Sequence, residues 1–305
     1  MRCDLHVHTR HSGAVDLPLL RHVGRESYSE PIEVYWTALR RGMDLVTITD
    51  HDTIEGALQI AHLPQAFVSE EVTCWLPEGR RLHLGVFDID ARHHAAIQSR
   101  TADAEALFAY LAEQRLPFCL NHPFSPLTGK REVGDLHFGF ERAASVEVLN
   151  SMMPAGSNEH ARAAARLSGR PEVGGSDAHA LPSVARAFTE VPGARTREAF
   201  LSGLRGGMTL ARGESGSYRR LVGDIAIVFG GAVRENAGLA GRSLGDLGRL
   251  AAAAALVPVL LLLPAIGLFT FLRERVMAEE YHRRFLRSLV HRRPPAVAAP
   301  IAEVA

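Results

Sequence analysis

Residues 4–9 read DLHVHT, with His6 and His8 alternating with Leu5 and Val7. On a strand, alternate side chains share a face, so the two imidazoles point one way and the two aliphatic groups the other. Paired imidazoles suit a metal ion, although the hexapeptide alone is equally compatible with a polar strand face. The pattern recurs downstream. In VTITDHDT (46–53) an apolar strand ends in Asp50, His51 and Asp52, and FVSEEVT (67–73) ends in Glu70 and Glu71. RLHLGVF (81–87) carries His83 in a short apolar strand, LNHP (120–123) places His122 after FCL, and GGSDAH (174–179) sets Asp177 and His179 two apart. Any one of these stretches fits a solvated loop or a hydrogen-bonded core histidine; all six at strand ends in one region point to a site.

Outward from these stretches, residues 1–212 alternate short apolar runs with helical patterns. Strands are predicted at 4–8, 45–49, 66–72, 83–86, 118–120, 145–149 and 172–174. Helices are predicted at 31–41, with Pro31 near its start and Gly42 at its end, and at 101–115 and 158–167. Such alternation argues for an α/β fold with a parallel sheet or barrel, whose chemistry lies at the carboxyl ends of the strands.

The chain has 305 residues, with 34 basic and 34 acidic side chains. No overall field therefore favours nucleic acid, but a local phosphate site is not excluded. Three cysteines, Cys3, Cys74 and Cys119, have no paired spacing and fit a reducing compartment. The first apolar stretch is broken by histidines and Asp4, which does not read as a signal peptide, so a cytoplasmic catalytic region is expected. After a glycine-rich boundary near 206–216, residues 213–249 read as a linker or amphipathic segment. Residues 250–272, LAAAAALVPVLLLLPAIGLFTFL, contain no charge. That length suffices to cross a bilayer, and the expectation is a membrane-associated segment that meets lipid as a span, hairpin or surface helix, followed by a basic tail at 273–305.

The donor set restricts the metal. Imidazole and carboxylate without thiolate suit Zn, Mn or Fe, and more than four ligands imply more than one ion. Paired ions activate water and neutralise phosphoryl oxygens, so phosphate esters are the natural substrates.

The ordered set HxH, TDHD, a strand-end Glu, HxLG, NHP and SDAH resembles the PHP (polymerase and histidinol phosphatase) family of metal-dependent phosphoesterases over about residues 1–212. The resemblance implies a distorted (β/α)7-type barrel, two or three divalent ions (Zn, Mn or Fe), and phosphoester hydrolysis by a metal-bound hydroxide. Carried over by motif, the ligands are His6, His8, His51, Glu71 as the bridging carboxylate, His83, His122, Asp177 and His179. One position departs from the pattern: Ser12 is followed by Gly13 and Ala14 where the family has an acidic or His ligand. Counting back from TDHD by the family's offsets gives Pro31 and then Glu26. Glu26, beyond an inserted stretch, is therefore the expected replacement, with Asp16 as the alternative. Asp50 and Asp52 are expected to orient His51 or a metal water, and Arg10, Lys130 and Arg186 to supply cationic donors for phosphate.

The function expected is a phosphatase acting on a small phosphorylated metabolite or nucleotide. The alternatives are a 5'-3' exonuclease or oligonucleotide phosphodiesterase, and a non-catalytic metal-binding regulatory module. No base-stacking platform or long basic groove supports an extended nucleic-acid surface.

Overall fold

In the computed structural model, residues 1–13, 24–239 and 247–291 are described. The chain runs β1 (Arg2–Asp4), α1 (Pro31–Arg40), β2 (Leu45–Val46), α2 (Glu55–Ile60), β3 (Ser69–Trp75), β4 (Arg81–Phe87), α3 (Ala91–Gln98) and α4 (Ala104–Glu113). It continues β5 (Phe118–Leu120), α5 (Val133–Arg142), β6 (Ser145–Asn150), α6 (Ala155–Leu167), β7 (Glu172–Gly175), β8 (Ala187–Glu190), α7 (Arg197–Arg205) and β9 (Leu210–Gly213). Two helices, α8 (Tyr218–Leu239) and α9 (Leu247–His291), complete it. Helix α1 starts where Pro31 fixes φ and where Glu30 and Glu33 cap it reciprocally. It ends before Gly42, which takes φ +83°.

The strands form two open sheets, ordered β2-β1-β8-β9 and β3-β4-β5-β6-β7. Among the described residues there is no closed barrel, which corrects the expected (β/α)7 arrangement. Strands β5, β6 and β7 run parallel with helices between them, but β3–β4 and β4–β5 are antiparallel. For β3–β4 the reason is connection length: residues 76–80 join the two, and a parallel return needs a dozen or more. Isolated parallel bridges tie the two sheets at two seams: Val7 to Ala178 beyond β1 and β7, and Val46 to Ala66 and His51 to Glu71 between β2 and β3. Several candidate ligand residues lie at or beside these bridges.

The larger core lies between the five-stranded sheet and its helices. Leu82, Leu84, Val146 and Val148 from the strands meet Leu107, Phe108, Leu136 and Phe140 from the helices. Each such side chain, fully buried, stabilises by about 1.5–3 kcal/mol. The same core takes in Ala278, Tyr281 and Phe285 of α9. Helix α8 leans on α9, where Tyr218 donates to Pro264 O at 2.9 Å. It also touches residues 25–28, where Arg25 Nε and Tyr28 OH both donate to Glu235 at 3.1 Å.

These contacts bear on the expectation of a membrane-crossing segment. Residues 250–272 lie inside α9, whose later turns are committed to the protein core, and no helix among the described residues is long and apolar enough to cross a membrane. In the basic segment, Arg283 and Arg284 pair along the helix with Glu279 and Glu280; residues 292–305 lie outside the described residues.

Candidate metal centre

The N-terminal ligand pair is held by a buried acid. Asp4, 2% exposed, accepts from the amides of His6 at 3.2 Å, Ser176 at 2.8 Å and Ala185 at 2.6 Å. Burial raises its pKa to about 6 against these bonds. Beyond Asp4 the chain stays extended without a continuous ladder: Asp177 N–H donates to His6 O at 2.7 Å and His8 N–H to Ala178 O at 3.0 Å. His6 and His8 accordingly share a face, with ring centroids 5.0 Å apart. The backbone of Gly175 runs against His6, where a Cβ would meet His6 Cβ at 2.4 Å and His6 N at 2.8 Å. Only glycine fits that approach.

Strand alternation sorts the two acids of β3. Glu71 faces the histidines, whereas Glu70 faces away and accepts from His94 Nδ1 at 2.8 Å and Gln98 Nε2 at 3.0 Å. His51 follows β2, His83 sits in β4 opposite Thr73, and His122 follows β5. Three of the turns involved are strained: Asp52, His122 and Asp177 take φ of +54°, +26° and +54°. Such conformations cost roughly 1–3 kcal/mol each and persist where the surroundings over-determine them.

Five imidazoles close a ring: His6, His8, His51, His83 and His122, with neighbouring centroids 4.8 to 5.5 Å apart. His179 stacks on His8 at 4.5 Å. The Glu71 carboxylate occupies the hub. Its Oε2 lies 3.1 Å from His6 Nε2 and 3.3 Å from both His8 Nε2 and His51 Nδ1. Its Oε1 lies 3.2 Å from His122 Nε2 and 3.4 Å from His83 Nδ1, and accepts from Asn121 Nδ2 at 2.8 Å. Asp177 Oδ1 reaches His6 at 3.4 Å and His8 at 3.3 Å.

Glu26 comes to 3.4 Å from His51 Nε2, at the edge of this cluster. Asp16 lies outside the described residues.

Burial raises the carboxyls of Glu71 and Asp177, and the imidazoles overcome it and hold both well below their usual range. Burial lowers His6 and His8, and the carboxylates overcome it, raising His6 well above its ordinary value and His8 to about 10. Burial, unopposed to the same degree, pushes His51 and His83 down and His179 to about 4. Divalent ions would supply positive charge among these carboxylates.

The residues fit such ions. Four overlapping triads, His6/His8/Asp177, His6/His122/Glu147, His8/His51/Glu71 and Glu71/His83/His122, have donor atoms within 4.8 Å of one another. His8 Nε2, both His83 nitrogens and His122 Nδ1 are buried without a hydrogen-bond partner among the described residues. The outer ring nitrogens are meanwhile fixed: His6 Nδ1 by Glu147 Oε1 at 2.8 Å, His8 Nδ1 by Ser12 Oγ at 2.9 Å, and His179 Nδ1 by Asp177 O at 2.9 Å. Bonds of this kind set the tautomer of a ligating histidine.

Glu147 escapes the sequence reading. It lies mid-strand in SVEVLN, 3% exposed, where Oε2 accepts from His122 N at 2.9 Å and Asn150 Nδ2 at 3.0 Å. The available signal is a single acid inside an otherwise apolar buried strand, a position that demands a partner.

Asp50 and Asp52 bond Thr9 and Thr73 rather than the His51 ring. Asp50 accepts from Thr9 N and Thr9 Oγ1, both at 2.6 Å, and Asp52 from Thr73 N at 2.7 Å. The expected cations also lie elsewhere. Arg10 pairs with Glu30 in a separate surface hollow, Lys130 pairs with Glu132 at the surface, and exposed Arg186 bonds Pro182 O. Loop geometry turns all three away from a cavity of about 410 Å³ over the histidine ring. The cation on its lining is Arg81, beside Thr73, Ser125, Leu127, Thr128 and Met153. Arg81 is two residues before His83 on β4, so the two share a face.

The PHP_C family model (PHP-associated) matches residues 155–209. An uncharacterized protein of Methanocaldococcus jannaschii, MJ1587, is 36% identical over 72 residues, a match that spans 24% of this chain and 41% of that protein. Among solved structures, PsfC from Pseudomonas syringae is 17% identical with a TM-score of 0.48, covering 70% of this chain and 91% of its own. A candidate metal-dependent phosphoesterase from Bifidobacterium adolescentis is 15% identical with a TM-score of 0.41, covering 58% and 87%. TM-scores below 0.5 leave both as distant likenesses without bearing on chemistry. The PHP-associated stretch, by contrast, contains Asp177 and His179 themselves.

Proposed function

We propose that this chain is a metal-dependent hydrolase acting on a phosphate ester of a small metabolite or nucleotide. One observation carries the reading: the Glu71 carboxylate sits at the hub of the imidazole ring, with three rings at one oxygen and two at the other. A carboxylate so placed suits two adjacent ions. Zn, Mn or Fe are compatible with the donors. When bound, such ions activate water and neutralise the oxygens of a phosphoryl group in displacement.

The chain's own residues then divide the work. His6, His8, His51, His83, His122, His179, Asp177 and Glu71 are the candidate ligands, with Glu26 at the edge beside His51. Glu147, Ser12 and Asn121 orient them. Arg81, two residues from His83 on the same strand face, stands about 7 Å along the strand from it, within reach of a substrate anion. Leu127 and Met153 give the cavity an apolar wall for the rest of the molecule. A volume of about 410 Å³ suits a small ligand. An oligonucleotide would need a longer groove.

The test is hydrolysis of p-nitrophenyl phosphate by purified protein with added manganese. Activity is expected in the wild type and its loss in His8→Ala and Asp177→Ala; full activity in either variant removes the assignment.

A further inference from the structure

Glu274 lies on α9, remote in sequence from every ligand motif, yet it bonds a residue that lines the cavity. It is 3% exposed. Its Oε2 accepts from Ser125 Oγ at 3.1 Å, and Oε1 has no hydrogen-bond partner among the described residues. Ser125 organises the turn that follows His122. Its amide donates to His122 O at 3.0 Å, its Oγ accepts from Leu127 N at 3.2 Å, and its carbonyl accepts from Thr128 Oγ1 at 3.2 Å. The turn thus joins a ligand residue to the cavity-lining Leu127 and Thr128.

This turn needs holding, because His122 sits at φ +26°, a conformation that a histidine does not keep unaided. Glu147 grips its amide from one side at 2.9 Å. Buried Arg131 braces the far end, donating to Arg81 O at 2.8 Å and to Thr128 Oγ1. The remaining grip comes from Glu274. Docking of α9 does not require an acid there, since Ala278, Tyr281 and Phe285 already anchor the helix. A buried carboxylate with one unpartnered oxygen costs stability that an apolar side chain of its size would not. Its use is as an acceptor.

We propose that Glu274 is a positioning residue of the metal centre: through Ser125 it clamps the 122–128 turn, so that α9 supports the active site through that turn. The kinetic consequences rest on the hydrolase reading above; the structural ones do not.

The test uses the full chain with Glu274→Met, which keeps volume and removes the acceptor, and Glu274→Gln, whose amide oxygen can accept from Ser125. Manganese-supported turnover of p-nitrophenyl phosphate and amide exchange at Ser125 and Leu127 are measured, with thermal melting alongside. Glu274→Met should lower kcat/KM by about tenfold or more, the scale expected for loss of a group that orients a ligand. It should also speed exchange at both amides without lowering the melting temperature. Glu274→Gln should recover both properties. Wild-type exchange in Glu274→Met, or no recovery in Glu274→Gln, overturns the clamp. If the wild type turns over no phosphoester, the hydrolase reading fails on its own, and exchange in the two variants still decides the clamp.

Discussion

The molecule buries acids in two ways. In the centre, Glu71 and Asp177 are surrounded by imidazoles that overcome the effect of burial and keep both carboxyls ionised. On the C-terminal helices, Asp224 and Glu274 are equally buried, at 3% exposure each, but meet hydroxyl groups instead. Burial pushes them up to about 6 and about 7, with Ser183 and Ser125 offsetting only part of it. Exposure does not separate the two cases; counter-charge does. Desolvating an ion costs several kcal/mol, which a nearby opposite charge repays and a single hydroxyl does not. The centre is therefore built to hold charge, and the helical pair is not.

The largest effect should come from removing the hub. Glu71→Ala should lower manganese-supported activity by about 10³-fold or more. It should also abolish metal stabilisation, which for the wild type is about 2.7 kcal/mol at a hundredfold excess over the dissociation constant. A melting temperature that still rises with manganese would show that the rings hold ions without Glu71. Next, Glu147→Gln should weaken metal affinity by about 10–100-fold in a titration, because His6 loses its orienting carboxylate; wild-type affinity would remove Glu147 from the centre. Arg81→Met should raise KM by about tenfold with kcat nearly unchanged, as expected for uniform binding. A fall in kcat alone would place Arg81 in the chemical step.

The smallest effect tests the helical side. Native Asp224 titrates near 6, above its ordinary 3.8, so between those values the folded chain binds more protons than the unfolded one. Stability then falls as pH rises through that window. Asp224→Asn should gain on the wild type from pH 4 to pH 8, by at most ~3 kcal/mol. An equal difference in melting temperature at both pH values would mean that the acid is compensated after all.

Much of the centre is legible in the sequence because most candidate ligands sit where a strand pattern breaks into a polar residue, Glu71 and His83 within their strands being the exceptions. DLHVHT, TDHD, NHP and SDAH all announce themselves this way, and the structure gathers them. Glu147 does not announce itself: inside SVEVLN it interrupts nothing, and only the approach of His6 from a remote segment gives it a partner. Arg81 was overlooked for a similar reason, since a strand-start arginine reads as surface until β3 and β4 pair. The fold was legible as α/β but not as two open sheets. Strand alternation reports which residues are inside, whereas direction depends on connections such as residues 76–80. Residues 250–272 read as lipid-facing by composition; in the structure they lie within α9 with most of their described large apolar side chains exposed, and the core contacts of α9 come from residues beyond that run.

The close approach of Gly175 to His6 has a consequence for the order of assembly. Asp4 and His6 are held by residues about 170 positions later, through Ser176, Asp177 and Ala185. Contacts of such separation form late, because the intervening loop must close first. The first ligands made by the ribosome are thus among the last to be set in place, and no metal centre exists until the segment carrying Gly175 has arrived against them.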